Sequence, residues 1–129
     1  MVGPFLPDTN VLVYALKGIE PYASWISERI RENQVVISTV VIAEYLSGAT
    51  KNEEEVIAYL ASQVTVLPVD LEVCVAGARY KRENIRKTKK VWLSDCLIAG
   101  TCKVYNAILV TEDKKDFPMK DIQILSNFQ

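Results

Sequence analysis

The 129-residue chain contains no histidine, and this absence removes several kinds of chemistry. A serine or cysteine nucleophile that depends on a histidine base is excluded. A structural zinc site is not expected either, because the chain also lacks a Cys-x-x-Cys pair. If the protein is an enzyme, carboxylates and a metal ion are the groups left to carry its reaction.

Cysteines and long apolar runs are also scarce. Cys74, Cys96 and Cys102 are an odd number without paired spacing, which favours buried thiols in a reduced, cytoplasmic setting. The apolar runs reach about six to eight residues, against the roughly 20 that cross a bilayer. The N-terminus lacks the pattern of a secretion signal. Half of the residues are hydrophobic, so we expect one compact domain over residues 1–129, with no membrane segment.

The formal net charge is −1, but the basic residues are distributed unevenly. Seven of the 15 Lys and Arg residues lie in one stretch, at Arg79, Lys81, Arg82, Arg86, Lys87, Lys89 and Lys90. Such a stretch is either a solvated helix face and loop or a surface that contacts RNA, and the two interpretations weigh about equally. All of these residues except Lys81 are candidate RNA contacts. Trp92, beside the stretch, is expected in the core rather than as a platform for base stacking.

Short apolar runs alternate with helix-length amphipathic stretches, which predicts an α/β fold with a largely parallel sheet. Predicted strands cover residues 3–7, 35–38, 64–69, 107–111 and 122–125, and predicted helices cover 10–16, 21–32, 39–46, 53–62 and 71–84, with a last one from Ser94 or Asp95 to 103. Asn52 and Asp70 are predicted N-caps, and Gly48 ends the third helix. Pro7 is interpreted as a strand end, because it cannot donate a ladder hydrogen bond.

Four acidic residues interrupt or directly follow apolar runs: Asp8, Glu44, Asp95 and Asp113. A carboxylate near buried surface is costly unless it is paired, hydrogen-bonded or bound to a metal. No basic residue stands close to these acids in an obvious pairing position, which favours a shared cation. Asp8 and Asp113 follow predicted strands, and ligands of α/β sheets bind beyond the carboxyl ends of strands. Glu44 and Asp95 are predicted to approach from flanking helices.

Each acid also has an ordinary structural explanation. Asp8 can cap the first helix, and Asp95 at a helix start suits the helix dipole. Asp113 and Asp116 stand in a Lys-rich segment where turn residues are common. Glu44 can point outward from a short amphipathic helix. Only the four positions together favour a functional site.

These segments resemble the PIN-domain family, and within it the VapC-type toxin ribonucleases, over nearly the whole chain. Residues 8–14 (DTNVLVY) resemble the segment of the family's first acid, and residues 38–45 (STVVIAEY) that of the second. Residues 95–100 (DCLIAG) resemble the third, although Gly100 stands where many members carry alanine. Residues 111–117 (TEDKKDF) resemble the closing segment. Each motif is weak alone, and the four in order form a specific pattern.

The resemblance implies a three-layer α/β/α fold with a mostly parallel central sheet of about five strands. It also implies a ribonuclease that depends on Mg²⁺ or Mn²⁺, ions that prefer hard oxygen ligands. The implied metal ligands and catalytic residues are Asp8, Glu44, Asp95 and Asp113, with Asp116 as a peripheral acid and Thr9, Asn10 and Thr111 as polar supports. Asp8 is predicted to be the bridging metal ligand, because it follows the strand expected at the centre of the sheet. Whether one or two ions bind stays open.

The leading functional prediction is an endoribonuclease that is the toxin of a toxin–antitoxin pair. The resemblance then implies an RNA substrate, a small antitoxin partner and a homodimer. One alternative is a stand-alone PIN nuclease in RNA processing, and another is a non-catalytic PIN-fold module that binds RNA or protein. Phosphotransfer folds are disfavoured, because Asn10 stands where Asp-x-Asp would need its second acid and no Gly-rich phosphate loop is present.

Overall fold

The computed structural model describes residues 3–85 and 90–127, in which short strands alternate with helices. The strands are β1 (Phe5–Pro7), β2 (Val36–Ser38), β3 (Thr65–Leu67), β4 (Ile108–Val110) and β5 (Ile124–Leu125). The helices are α1 (Thr9–Leu16), α2 (Tyr22–Arg31), α3 (Thr39–Ser47), α4 (Lys51–Gln63), α5 (Leu71–Asn84) and α6 (Leu93–Tyr105), and a 3-10 turn covers Lys114–Asp116. Within the described ranges, no helix has the length and apolar character needed to cross a membrane.

All strand pairs in the described sheet are parallel, and β1 lies at its centre. β1 pairs with β4, and β4 pairs with β5 on its other side. A bridge between Phe5 and Val35 joins β1 to the segment that enters β2, and β2 pairs with β3. The chain therefore builds the sheet outward from β1 in both directions. The winding reverses between β1 and β4, where α/β sheets open a crevice at the strand ends.

Alternating residues of β1 and β4 are buried on opposite faces of the sheet. Phe5 packs in one apolar cluster with Ile108 and Val110, against Tyr22 and Trp25 of α2. Leu6 and Leu109 belong to a larger cluster that the other helices cover. Both faces are buried, which explains the continuous apolar runs of these strands. The predicted three-layer α/β/α fold with a parallel sheet of about five strands is confirmed.

Side chains cap four of the described helices, α1, α3, α4 and α5, and the cap predicted for α4 is wrong. Asp70 caps α5 as predicted, since its Oδ1 accepts a hydrogen bond from the Val73 amide at 2.9 Å. The cap of α4 is Thr50, whereas Asn52 lies inside the helix. Thr50 accepts from the Glu53 amide and Glu53 accepts in return from the Thr50 amide. This reciprocal pair satisfies two exposed amides at once.

The strands are shorter than the apolar pattern predicted. The predicted strand 64–69 is reduced to Thr65–Leu67, and 122–125 is reduced to Ile124–Leu125. An apolar pattern marks burial, and buried residues extend beyond the ladder hydrogen bonds that define a strand. Pro7 is the last residue of β1, as predicted from its missing amide donor.

Helices α5 and α6 pack closely through two glycines. A Cβ atom on Gly100 would lie 2.9 Å from the Gly77 amide nitrogen and 3.1 Å from the Val73 carbonyl oxygen. A Cβ on Gly77 would lie 2.7 Å from a Leu97 methyl carbon. Glycine at position 100 is therefore required by this close approach. The contact sets the position of α6, which carries Asp95.

Candidate functional site

A cavity of about 160 Å³ opens at the carboxyl edge of the sheet, where the winding reverses. It is lined by Asp8, Thr9, Asn10, Glu44, Asp95, Ile98, Asp113, Asp116 and Phe117. The four predicted acids and the peripheral acid thus converge on one cavity from four segments, since Asp113 and Asp116 share the segment after β4. None of the described residues that line it is a Lys or Arg.

Asp8 is placed by the pairing of β1 with β4. Pro7 is in register with Val110, and the Asp8 amide donates to the Val110 carbonyl at 2.9 Å. The residue is only 5% exposed, and its carboxylate Oδ1 accepts from the Val11 amide at 2.9 Å. Asp8 is therefore the N-cap of α1 and also a cavity acid. The two interpretations of Asp8 are compatible, because a carboxylate oxygen that accepts one hydrogen bond retains a further lone pair.

Thr111 connects two of the acids from beneath the cavity. It is fully buried at the end of β4, and its Oγ1 donates to Asp8 Oδ2 at 2.5 Å. The same oxygen accepts from the Asp113 amide at 2.9 Å. One hydroxyl thus sets both the orientation of Asp8 and the turn that brings Asp113 to the cavity.

The first turn of α1 contacts two further acids. Thr9 Oγ1 donates to Glu44 Oε1 at 2.5 Å, and Asn10 Nδ2 donates to Asp113 Oδ2 at 3.2 Å. Glu44 comes from α3 and Asp113 from the segment after β4. Because Thr9 and Asn10 are adjacent, this turn holds acids from two separate elements. The predicted polar supports therefore all touch a predicted acid.

Burial and mutual repulsion disfavour ionisation of two carboxyls in the cavity. Burial raises the pKa of Asp8 to about 6, with Asp113 and Asp116 adding to the shift and the hydrogen bonds from Thr111 and Val11 opposing it. Burial likewise raises the pKa of Asp95 to about 6, and the charges of Asp116, Glu44, Asp8 and Asp113 act in the same direction. The cavity is therefore short of positive charge.

The side chains of the cavity fit a hard divalent cation in type but not in their present spacing. Carboxylate, hydroxyl and amide oxygens are the donors that Mg²⁺ and Mn²⁺ prefer. Among residues 3–85 and 90–127, no three Asp, Glu, His or Cys side chains are arranged to hold a metal ion as they stand. Thr9 and Asn10 engage Glu44 and Asp113 instead. A cation would therefore require these side chains to move toward one another.

The predicted RNA contacts that the structure describes are not among the residues that line the cavity. Arg79 and Arg82 are exposed on α5, and Arg79 lines a separate apolar groove with Leu71 and Val75. Lys90 is exposed. Three further candidates lie outside the described residues, namely Arg86, Lys87 and Lys89. None of the described basic candidates is among the residues that line the acidic site.

Two predictions about the start of α6 are wrong. The helix begins at Leu93, one or two residues before the predicted start, and its N-cap is Trp92. Trp92 is 59% exposed, although it was predicted in the core. The reason is the neighbouring Val91, which is only 4% exposed and takes the inward position. In an extended segment the next side chain then points outward.

Sequence reasoning also missed two apolar residues of the site. Ile98 and Phe117 line the cavity and are otherwise buried. Ile98 stands three positions after Asp95 in α6, and residues at this spacing share one face of a helix. That spacing was available in the sequence. Phe117 belonged to the closing motif but had no assigned role. Together they give the acidic site an apolar side.

The architecture is thus a parallel sheet whose winding reverses at a cavity lined by acids. A model of the PIN domain matches residues 5–123, and the chain belongs to this family. Its relatives include ribonuclease VapC10 of Mycobacterium tuberculosis, 27% identical over 114 residues, which cover 88% of this chain and 86% of the relative. They also include the tRNA(fMet)-specific endonuclease VapC of Shigella flexneri, which is 28% identical over 120 residues. The match covers 88% of this chain and 89% of that relative.

Solved structures agree with this assignment of the fold. The DNA-bound VapBC complex from Salmonella typhimurium contains a chain that superposes with a TM-score of 0.80 at 26% identity, covering 98% of both chains. A chain of VapBC2 from Rickettsia felis, bound to a DNA fragment from its promoter, also gives a TM-score of 0.80, at 22% identity and the same coverage. The resemblance to the PIN-domain family and its VapC-type members is confirmed.

Proposed function

We propose that the protein is a divalent-metal-dependent endoribonuclease and that the acidic cavity is its active site. The observation that carries the proposal is the convergence of five carboxylates from four separate segments on one cavity without a Lys or Arg among its described lining. The ribonuclease and endonuclease names of the relatives support RNA as the substrate.

We assign Mg²⁺ or Mn²⁺ binding to Asp8, Glu44, Asp95 and Asp113, with Asp116 at the periphery. When bound, the ion supplies Lewis-acid stabilisation of a phosphodiester and activates water for attack. Asp8 is the central ligand in this proposal, because the end of the central strand and Thr111 hold it rigidly. Thr9 and Asn10 orient Glu44 and Asp113. Since the chain has no histidine, proton transfer falls to a carboxylate or to water.

The test is cleavage of a panel of structured and single-stranded RNAs with Mg²⁺, with Mn²⁺ or with EDTA. We expect internal cuts with either metal and none with EDTA, because four carboxylates alone repel a phosphate. Cutting that persists in EDTA would contradict the metal dependence. If no RNA is cut, while Mg²⁺ raises the melting temperature, the non-catalytic binding module becomes the better interpretation.

Substitution of Thr111 by valine should lower cleavage by about 10- to 100-fold, the range found when a residue that orients a metal ligand is lost. Valine keeps the shape of the buried side chain but leaves Asp8 Oδ2 and the Asp113 amide without their partner. Single-turnover cleavage rates at saturating Mg²⁺ measure the effect.

The matched control is Thr101→Val. Thr101 is also fully buried, but its hydroxyl donates to the Leu97 carbonyl within α6, away from the acids. This variant should cut RNA at nearly the rate of the wild type. Equal rates for both variants would show that Thr111 does not orient the acids.

We also propose that the protein is the toxin of a pair, with a small antitoxin protein as its partner. The structural neighbours in toxin–antitoxin complexes support this, including the VapBC complex from Salmonella typhimurium. Homodimerisation is proposed because the resemblance to the family implies it. Light scattering of the purified chain, alone and after co-expression with a candidate antitoxin, tests both parts. A monomer that no antitoxin inhibits would favour a stand-alone nuclease.

A further inference from the structure

We infer that Lys90 and Trp92 form a platform that holds an unpaired base of the RNA substrate beside Asp95. This inference rests on the proposed function and adds the kind of substrate it acts on. The cavity itself attracts a phosphate only through the proposed metal ion, because its described lining has five carboxylates and no Lys or Arg. Part of the affinity for RNA must therefore come from groups outside it.

The segment before α6 presents these two side chains outward and is itself held in place. Val91 is buried between them, and its carbonyl accepts a hydrogen bond from Lys81 Nζ of α5 at 2.5 Å. Trp92 has extended backbone angles, with φ −77° and ψ 146°. Side chains alternate along an extended segment, so Lys90 and Trp92 lie on the same side. Their exposure is therefore built into the fold.

The position of Trp92 in the helix places it next to Asp95. Trp92 is the N-cap of α6 and Asp95 is the third helical residue. These are the two positions whose side chains reach each other's backbone in a capping box, as Thr50 and Glu53 do in α4. The Cβ end of the Trp92 side chain is thus adjacent to Asp95, an acid of the cavity.

Tryptophan is also an unfavourable residue at this position. N-caps favour Ser, Thr, Asp or Asn, and Trp92 makes no side-chain cap hydrogen bond. A large indole with 59% exposure gains little from burial. Local rules that a sequence breaks without structural gain point to functional sites. Base stacking is a function that only an aromatic side chain here can perform.

The contact between Lys90 and Trp92 favours nucleic acid over a protein partner. Lys90 Nζ lies 4.2 Å from the centre of the Trp92 ring, where it is attracted to the π face. A cation beside an exposed aromatic ring combines phosphate attraction with base stacking, as in proteins that bind single strands. Bases in a duplex are already stacked on their neighbours. The platform should therefore select unpaired nucleotides.

The first measurement is tryptophan fluorescence during titration with a single-stranded RNA, using Asp8→Asn protein so that the RNA stays intact. We expect quenching by the single strand, weak quenching by a duplex of the same sequence, and affinity for the single strand reduced about tenfold or more by Trp92→Ala. Trp92→Phe should retain most of the affinity, and Lys90→Gln should weaken it and reduce its salt dependence. The other tryptophan, Trp25, packs edge-on against Phe5 and should not respond.

The matched control is Tyr59→Ala, which removes an exposed aromatic side chain from α4, a helix that contributes nothing to the cavity. It should bind and cleave RNA like the wild type. In cleavage assays, the loss in Trp92→Ala should fall on KM more than on kcat. That division separates a binding platform from a merely structural role.

The outcomes distinguish this inference from the proposed function. Normal cleavage by the wild type, with no quenching and an unchanged KM in Trp92→Ala, would overturn the platform alone and leave the surface to a protein partner. Quenching by single-stranded RNA without cleavage by the wild type would support the platform and count against the nuclease. Equal binding of single-stranded and duplex RNA would also overturn it, because stacking requires an unpaired base.

Discussion

Asp8→Asn should lower the rate of metal-dependent RNA cleavage by about 10³-fold or more. Asparagine keeps the size of the side chain and its ability to cap α1, so the fold is retained. The change removes the negative charge at the end of the central strand, where the proposal places the central metal ligand. Metal stabilisation of a phosphoryl centre contributes several kcal/mol, and each 1.4 kcal/mol corresponds to about tenfold in rate. Single-turnover kinetics across a range of Mg²⁺ concentrations provide the measurement.

Two further variants identify the cause of such a loss. Asp95→Asn should reproduce it, because Asp95 lines the same cavity from α6. Asp121→Asn should have little effect, since Asp121 is exposed, accepts from the Tyr80 hydroxyl at 2.7 Å and does not line the cavity. If all three variants cut RNA at the wild-type rate, a contaminating nuclease is responsible and the assignment of the acids is wrong.

The metal-free protein should become less stable as the pH rises from about 4 to about 6. The pKa of Asp8 is about 6 in the folded state, against 3.8 for an ordinary aspartate. Between these values the folded state retains a proton that the unfolded state releases, so rising pH favours unfolding. The difference corresponds to about 2–3 kcal/mol of stability lost at pH 7, when Asp8 must ionise inside the fold. Asp95 acts in the same direction.

Urea denaturation in EDTA at pH 4.5 and pH 7 measures this loss. Asp8→Asn should remove the part that Asp8 contributes, and the raised pKa of Asp95 should leave a remainder. The comparison between variants is needed because other acids act in the opposite direction. The Tyr105 hydrogen bond and the Val73 amide lower the pKa of Asp70, and the Tyr80 hydroxyl lowers that of Asp121. Their stabilising effect is lost as the pH falls. Mg²⁺ added at pH 7 should restore stability to the wild type alone. An identical pH dependence in both proteins would contradict this account.

Predictions from the sequence succeeded where the signal was local. Asp70 was identified as the cap of α5 because an aspartate before an amphipathic stretch satisfies amides three residues away. The signal for the N-cap of α4 was equally local. Thr50 and Glu53 have the spacing of a reciprocal capping pair, and the prediction of Asn52 overlooked it. The predicted start of α6 and several predicted strand ends were misplaced by one or two residues. Those boundaries depend on backbone hydrogen bonds, which an apolar pattern does not report.

The candidate site was predicted in its acids but not in its surroundings. Carboxylates that interrupt apolar runs stand out in a sequence, because burial of a lone charge is costly. Trp92 was placed in the core for the same kind of reason, since tryptophan is usually buried. Its exposure follows from Val91, which takes the inward position and is held through Lys81 of a different helix. No local pattern contains that contact.

The sequence by itself determined the alternation of strands and helices, the central place of β1 and the acids that lie near the strand ends. These features follow from periodicity and from the cost of burying charge, which act on neighbouring residues. Only the tertiary structure decided that one threonine joins Asp8 to Asp113, and that two glycines bring α6 close enough to deliver Asp95. Such contacts join residues far apart in the chain, and packing in three dimensions selects them.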